Sequence, residues 1–247
     1  MSRRYANPPV IEALCEVYFR GSAWDATVPG TFYQRVRERF PKKGETRDFE
    51  IEVGFSPAAL STKAAHPELR SQFSREDGSR MIQLRRDLIV VNQLRPYPHF
   101  EEWRPEVVEG VRNYRELANP AGIAQIGVRY LNRIEVPSDT VKMEDYFQLY
   151  PEIPAQLGAM HGSFMMRVQI PALHEDHQLI VTFGSATAPQ AGGSTAWLLD
   201  LYDIVASAEY PQIDAFEKPL DEAHENIERA FESIITDATR ALFGEIS

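Results

Sequence analysis

Several common features are scarce or absent in this sequence of 247 residues. Its single cysteine, Cys15, excludes an intramolecular disulfide and a cysteine-rich zinc site, and it fits the reducing conditions of the cytoplasm. No apolar run approaches the roughly 20 residues that a membrane-spanning helix needs. The first residues, MSRRYANPP, lack the apolar core of a secretory signal. These absences predict a cytoplasmic protein that does not enter a membrane.

The sequence also lacks the short motifs of common catalytic and nucleotide-binding sites. There is no Gly-x-Gly-x-x-Gly fingerprint, no phosphate-binding loop that ends in Gly-Lys-Ser/Thr and no Gly-x-Ser-x-Gly nucleophile elbow. The His-Glu-x-x-His zinc motif is absent as well. No catalytic residue, no metal ligand and no cofactor is therefore predicted, and the sequence favours a protein without enzymatic activity.

Positive charge is scarce in one part of the chain. The formal net charge is −10, and residues 200–247 carry 12 acidic and 3 basic side chains, a net charge of −9. The first 199 residues are nearly balanced, with a net charge of −1. An acidic chain is a poor candidate for general nucleic-acid binding, which depends on the neutralisation of phosphates.

Alternation of apolar and polar residues predicts a fold dominated by strands. In residues 10–20, VIEALCEVYFR, Cys15 and other apolar positions share one face, and glutamates lie on the other. A strand, a short helix, several strands and a long helix follow one another twice, and the division lies near Pro120. The sequence therefore predicts that residues 1–120 and 121–247 are similar α+β halves of one compact domain, related by internal duplication.

The predicted architecture is a largely antiparallel sheet with helices on one face. It resembles TATA-binding-protein-like or helix-grip folds by analogy, and such an analogy carries no function. The last helix has the clearest pattern, because one apolar stripe continues from Leu220 to Leu242 and Gly244 ends it.

The stretch GVRYLNRIEV, residues 127–136, puts polar side chains into a predicted central strand. Arg129 and Arg133 share one face, because side chains four apart on a strand point the same way. Glu12 and Glu16 share a face of the first strand for the same reason. If the two strands are neighbours, cross-strand ion pairs are expected. The alternative is a polar groove for an anionic or guanidinium-bearing ligand, since arginine readily binds carboxylate and phosphate groups.

Two further polar residues stand out. Asn132 falls by alternation on the buried face of its strand, where an amide must hydrogen-bond, and we expect it to cap a helix or to be turned outward by a β-bulge. His224 lies near the start of the last helix, between Asp221 and Glu225. This spacing does not match a zinc-binding motif, so no metal is assigned to it.

Four segments together resemble a known family: YANPPVIEALCEVYF, GVRYLNRIEVP, WLLDLYDI and LDEAHENIERAFESIITDATRALFG. The pattern is similar to that of a sporadically distributed, uncharacterised prokaryotic family of similar length, with an Asn-Pro-Pro-Ile/Val-x-Glu start, an Arg-Tyr-x-Asn-Arg-Ile centre and a C-terminal helix that contains a histidine. The matching residues are Pro8, Pro9, Glu12, Arg129, Tyr130, Asn132, Arg133, Asp200, His224 and Phe231. The resemblance implies no activity, but its patchy distribution is similar to that of phage-defence and toxin–antitoxin genes.

The leading hypothesis is a non-enzymatic interaction protein of the cytoplasm that is one component of a phage-defence or toxin–antitoxin system. A protein partner encoded nearby is expected, since an acidic segment can engage a basic partner surface. Homo-oligomerisation is left open.

Two alternatives remain. The first is a ligand-binding protein or enzyme that uses a concave polar face of the sheet. Its binding candidates are Glu12, Glu16, Tyr18, Arg129, Asn132, Arg133, Arg167, Tyr202 and His224. The second is a nucleic-acid-binding protein with a basic patch made of Arg80, Arg85, Arg86, Arg95 and Arg104.

Overall fold

The computed structural model describes residues 3–47, 51–56, 59–64, 69–157, 162–171, 174, 176–187, 193–206 and 215–246. The strands are β1 (Arg4–Tyr5), β2 (Val10–Arg20), β3 (Lys42–Arg47), β4 (Ile51–Ser56), β5 (Ala59–Ala64), β6 (Leu69–Ser74), β7 (Arg80–Arg85), β8 (Leu88–Leu94), β9 (Gly122–Val136), β10 (Met165–Pro171), β11 (His177–Ala186), β12 (Thr195–Ala206) and β13 (Glu245–Ile246). The helices are α1 (Val28–Val36), α2 (Phe100–Ala118), α3 (Met143–Tyr146), α4 (Glu217–Ile234) and α5 (Asp237–Phe243), and a 3₁₀ turn covers Ala155–Leu157.

A nine-stranded antiparallel sheet forms the centre of the molecule, in the order β10-β11-β12-β9-β2-β8-β7-β6-β3. The hairpin of β4 and β5 and the short pair of β1 and β13 lie outside it. The predicted α+β class and the largely antiparallel sheet are confirmed.

The long strands β2 and β9 pair at the centre of the sheet. Leu14 lies opposite Arg129, and Glu16 lies opposite Gly127. Strand β12 flanks β9 on one side, and β8 flanks β2 on the other. The internal duplication stays a prediction.

The two long helices cover the same face of the sheet, called here the helix side. Helix α2 packs on β8, where a Cβ on Gly110 would lie 3.2 Å from the Cγ2 atom of Val91. Helix α4 packs on β12 and β9, and Asn226 in this helix donates a hydrogen bond to Asp203 of β12. Cys15 points to the helix side and is 1% exposed, which confirms its predicted burial in the core. Burial raises the pKa of its thiol.

The segment that the sequence predicts as one last helix forms two helices, α4 and α5. Helix α4 ends at Ile234, and Thr236 caps α5 by accepting a hydrogen bond from the backbone N–H of Thr239. The chain between them bonds to the segment around α3: Gln148 N–H donates to the Ile234 carbonyl, and Thr236 N–H donates to the Tyr146 carbonyl. These tertiary hydrogen bonds interrupt the helix after Ile234, although the apolar stripe continues through this point. The predicted end at Gly244 is correct, and this residue has a positive φ of 68°.

Residues 3–9, the N-terminal strap, cross the helix side and bind near the end of α5. Strand β1 pairs with β13, and the N–H groups of Ala6 and Asn7 donate to the carbonyls of Gly244 and Phe243 at 2.8 and 2.9 Å. Tyr5 is 8% exposed, and its ring lies 5.6 Å from that of Phe243. The strap therefore belongs to the packed structure.

Among the described residues, no helix combines the length and the apolar character needed to cross a membrane.

A buried carboxylate joins α2 to the hairpin of β6 and β7. Glu106 is 6% exposed, and its Oε2 atom lies 2.9 Å from Nη1 of Arg80, which is 8% exposed. Arg75 forms a second ion pair with Glu106, and Arg39 lies 3.7 Å from it. The opposite charges of buried Glu106 and Arg80 compensate each other in the protein interior.

Glu106→Gln is expected to lower the free energy of unfolding by about 3 kcal/mol, because it leaves the buried arginine without its counter-charge. Urea denaturation at pH 7 measures this loss. The matched control is Glu109→Gln in the same helix, whose partner Arg39 is exposed. Its expected cost is below about 1 kcal/mol, and equal costs for the two variants would contradict the assignment.

Candidate functional site

A cleft on the helix side has a volume of about 100 Å³. One water molecule needs roughly 10–15 Å³ of such space, so the cleft is large enough for a side-chain-sized group. The strap contributes Arg3, Arg4, Tyr5, Pro8 and Pro9; β9 contributes Tyr130 and Asn132; α4 contributes His224, Ile227, Glu228, Phe231 and Glu232. The remaining lining residues are Val10, Tyr97, His99, Glu101 and Leu201.

Local structure explains how these residues meet. Positions 224, 227, 228 and 231 follow the spacing i, i+3, i+4 and i+7, so they form one face of α4. Tyr130 and Asn132 are two apart on β9 and therefore point to the same side of the sheet. The cleft is thus built from segments that are distant in sequence.

A chain of hydrogen bonds connects three rings in the cleft. The hydroxyl of Tyr130 lies 2.9 Å from the Tyr97 hydroxyl and 3.1 Å from Nδ1 of His224. The His224 ring stacks on Phe100, with centroids 3.8 Å apart and an interplanar angle of 12°. The imidazole is therefore held in one orientation.

Burial lowers the pKa of His224 to about 4, although the carboxylates of Glu101 and Asp221 act to raise it. Burial raises the pKa of Tyr130 and Tyr97. At neutral pH the three side chains carry no charge, so the inner part of the cleft offers hydrogen-bonding groups without a cation.

Asn132 has one unused polar atom. The residue is 2% exposed, and its Nδ2 donates to the carbonyl of Leu199 at 3.1 Å and to that of Tyr130 at 3.4 Å. Those two carbonyls fix the orientation of the amide, because only Nδ2 can donate to them. Its Oδ1 accepts no hydrogen bond from any residue that the structure describes. The side chain lines the cleft, so Oδ1 is the acceptor left for a bound molecule.

The bulge that could have turned Asn132 outward lies in the partner strand. Asn132 pairs with Val10, and the register shifts between Val10 and Glu12 of β2. Beside this shift, Arg133 N–H donates to the Pro9 carbonyl at 2.9 Å. Asn132 consequently stays on the helix side and donates to carbonyls of β9 and β12, so it neither caps a helix nor turns outward.

The other candidate residues lie on the opposite face of the sheet, the polar face. Strand register places Glu12, Glu16, Tyr18, Arg129, Arg133, Arg167 and Tyr202 there. The nine candidates therefore divide between two faces, and Asn132 and His224 alone among them border the cleft.

Cross-strand ion pairs between β2 and β9 do not form among these residues, although the two strands are neighbours. Arg129 instead donates from Nε and Nη2 to the two oxygens of Asp200 on β12, at 2.7 and 2.5 Å. Arg133 donates to Glu135 at 2.6 Å and to the Thr187 carbonyl at 2.8 Å. The register explains the difference, because Leu14 faces Arg129.

Glu16 is bound by Tyr202, whose hydroxyl donates to the carboxylate across Gly127. A Cβ at Gly127 would lie 2.7 Å from the Tyr202 hydroxyl, so glycine leaves the space for this contact. Glu12 accepts a hydrogen bond from Asn92 at 2.7 Å. Much of the polar face is therefore satisfied by its own side chains.

A second buried polar cluster lies under α4. Nδ1 of His177 is 2.6 Å from Oδ1 of Asp203, and Nδ2 of Asn226 donates to Oδ2 of the same carboxylate at 2.9 Å. Asp203 is fully buried, and this cluster ties α4 to β11 and β12. In the part of the chain that the structure describes, no group of three or more His, Cys, Asp or Glu side chains is arranged to hold a metal ion.

Sequence reasoning found Asn132 and His224 but missed their partners Tyr97, Phe100 and Tyr130. The family pattern held a usable signal. Six of its ten residues line the cleft: Pro8, Pro9, Tyr130, Asn132, His224 and Phe231. Taken together, those positions would have predicted that the candidate site lies on the helix side.

His224→Gln is expected to flatten the pH dependence of stability. The histidine has a pKa of about 4 in the folded protein and about 6.5 when unfolded. Between these values the unfolded chain binds the proton more strongly, so stability falls as the pH falls, by roughly 3 kcal/mol over the whole window. Glutamine does not titrate. Urea unfolding from pH 8 to pH 4 measures the difference between wild type and variant, which should be constant above pH 7 and change below it. Parallel curves throughout would contradict the burial of a neutral imidazole.

Comparison with known proteins adds no constraint. No protein-family model matches the chain, and no curated protein is significantly similar to it. The family resemblance stays a prediction.

Proposed function

We propose that the protein is a binding protein without enzymatic activity and that its ligand occupies the helix-side cleft. The observation that carries this proposal is the unused Oδ1 of Asn132, an acceptor on a 2% exposed side chain at the cleft. Oδ1 is not sealed in the interior, so a ligand that enters the cleft can donate a hydrogen bond to it.

The composition of the cleft supports ligand binding. Ligand sites are commonly concave and apolar, with a few placed polar groups that fix orientation. Here Ile227, Leu201 and Phe231 supply apolar surface, while Asn132 and the Tyr130 hydroxyl supply polar groups. The strap closes one side, so the cleft is formed by one copy of the chain.

The protonation properties of the same residues argue against catalysis. A general acid or base works best with a pKa near the operating pH. The pKa of His224 is about 4, well below neutral, and burial raises the pKa of Tyr130 further above it. The only cysteine, Cys15, is buried in the core and does not line the cleft. Recognition is the better supported role.

A protein partner encoded nearby, in a phage-defence or toxin–antitoxin system of the cytoplasm, is the biological setting that we propose. Its support is the family resemblance and the net charge of −9 on residues 200–247, which include α4. Such a surface attracts basic partners and speeds their association.

Nucleic-acid binding has less support. Arg80 of the candidate patch pairs with buried Glu106. Arg104 donates to both Asp221 and Glu217. Two of the five arginines are therefore already engaged by carboxylates, which reduces the charge available for phosphates.

A thermal-shift screen of small hydrogen-bond donors tests the proposal. A probe at ten times its Kd adds about 1.4 kcal/mol of stability, which corresponds to a rise in Tm of about 3–6 °C in a protein of this size. Asn132→Leu is expected to abolish the rise, since leucine fills similar space and cannot accept a hydrogen bond. The control Glu16→Gln on the polar face should keep it. If the probes raise the Tm of wild type and of Asn132→Leu equally, the probes bind outside the cleft and the proposal is contradicted.

A further inference from the structure

We infer that the group bound in the cleft is a cation, a guanidinium or ammonium with N–H donors at the end of an apolar stem. This inference rests on the proposed function and names the chemical class of its ligand. The same chemistry occurs in free alkylguanidines and amines and in the arginine or lysine side chain of a partner protein.

The polar atoms inside the cleft favour a ligand that donates hydrogen bonds. Oδ1 of Asn132 can only accept, so a carboxylate or phosphate would leave it unsatisfied and add repulsion between oxygens. Each guanidinium and ammonium carries several N–H groups and no acceptor. Neutral His224 does not repel a cation, because its pKa is about 4.

The walls suit a charged head on an apolar stem. The rings of Tyr97, Tyr130 and Phe231 line the cleft beside Ile227 and Leu201. Aromatic rings attract cations through their quadrupole, and the attraction grows when water is excluded. Long basic side chains also pack their methylene groups against apolar surface while the charge stays near water.

Three carboxylates and two arginines line the cleft, and Arg240 beside it binds Glu232 at 2.8 Å. Glu101, Glu228 and Glu232 line it together with Arg3 and Arg4. Both arginines already have carboxylate neighbours: Arg4 lies 3.7 Å from Glu101, and Arg3 lies 3.9 Å from Glu232 and 3.4 Å from Glu245.

The negative charge of the carboxylates also acts on the hydroxyl groups of Tyr97 and Tyr130 inside the cleft. After burial itself, Glu228 is among the causes that raise the pKa of both Tyr97 and Tyr130. A charge that disfavours a phenolate at these positions also favours a bound cation there. Glu101 precedes Glu228 among these causes at Tyr97, but Glu228 acts on both hydroxyl groups, so its charge should contribute to affinity.

The test titrates the full chain with three probes of similar size: butylguanidine, neutral butylurea and anionic pentanoate, followed by amide NMR shifts and calorimetry. Butylguanidine is expected to bind at least ten-fold more tightly than butylurea, and pentanoate should not bind. Glu228→Gln should weaken butylguanidine several-fold and leave butylurea unchanged. The matched control Glu225→Gln, which removes an exposed carboxylate of the same helix that does not line the cleft, should change neither.

A short peptide, acetyl-Gly-Arg-Gly-amide, separates the two sources of the cation. Tighter binding of the peptide than of butylguanidine would assign the site to an arginine of a partner protein, and the reverse order would assign it to a free small cation.

Each failure has a separate meaning. Equal binding of butylurea and butylguanidine, lost in Asn132→Leu, would overturn the cation inference and keep the proposed function. Absence of butylguanidine binding to wild type would overturn the cation inference as well. If no probe of any charge binds in a manner that depends on Asn132, the proposed function fails too. Amide spectra of each variant establish that it is folded, and Glu228→Gln supplies a second test that leaves the Asn132 amide intact.

Discussion

The antiparallel pairing of β2 with β9 is the constraint on which the sheet, its two faces and the cleft depend. Side chains alternate along a strand, so a slip of one residue would move every side chain of β9 to the other face. In the stretch RYLNR, Tyr130 and Asn132 point to the helix side, while Arg129 and Arg133 point to the polar face. One register thus determines which side chains border the cleft and which ones form ion pairs.

Proline explains why the cleft lies where β2 begins. Pro8 and Pro9 have no N–H groups, so the chain before Val10 cannot continue as a regular sheet strand. The register shift between Val10 and Glu12 marks the same boundary. From there the strap leaves the sheet and crosses to the helix side, where it bonds near the end of α5. An opening between strap, β9 and α4 results, and Asn132 lies beside it.

Much of the fold follows from local pattern, whereas its contacts do not. Period-two alternation predicted the burial of Cys15 and the shared face of Glu12 and Glu16, because each depends on one strand alone. The partner of Arg129 depends on the register between β9 and β12, which no local pattern encodes, and it is Asp200. The break after Ile234 depends on hydrogen bonds from the segment after α3, so a continuous apolar stripe concealed it.

The site was predictable in part for the same reason. Asn132 stood out because a polar residue on a buried face conflicts with the alternation, and conflicts of this kind are common at functional sites. Tyr97 gave no such signal. It follows β8 in an irregular segment, and its role depends on a contact with Tyr130 across the fold.

The strap also makes the cleft a property of the whole chain. Arg3 and Glu245, which meet beside the pair of β1 and β13, are 242 positions apart. Contacts of such separation are entropically costly to close. During synthesis β1 has no strand partner until β13 has been made. The strap wall of the cleft is therefore held by residues 243–246, and a fragment that contains Asn132 and His224 without them lacks the partner that anchors this wall.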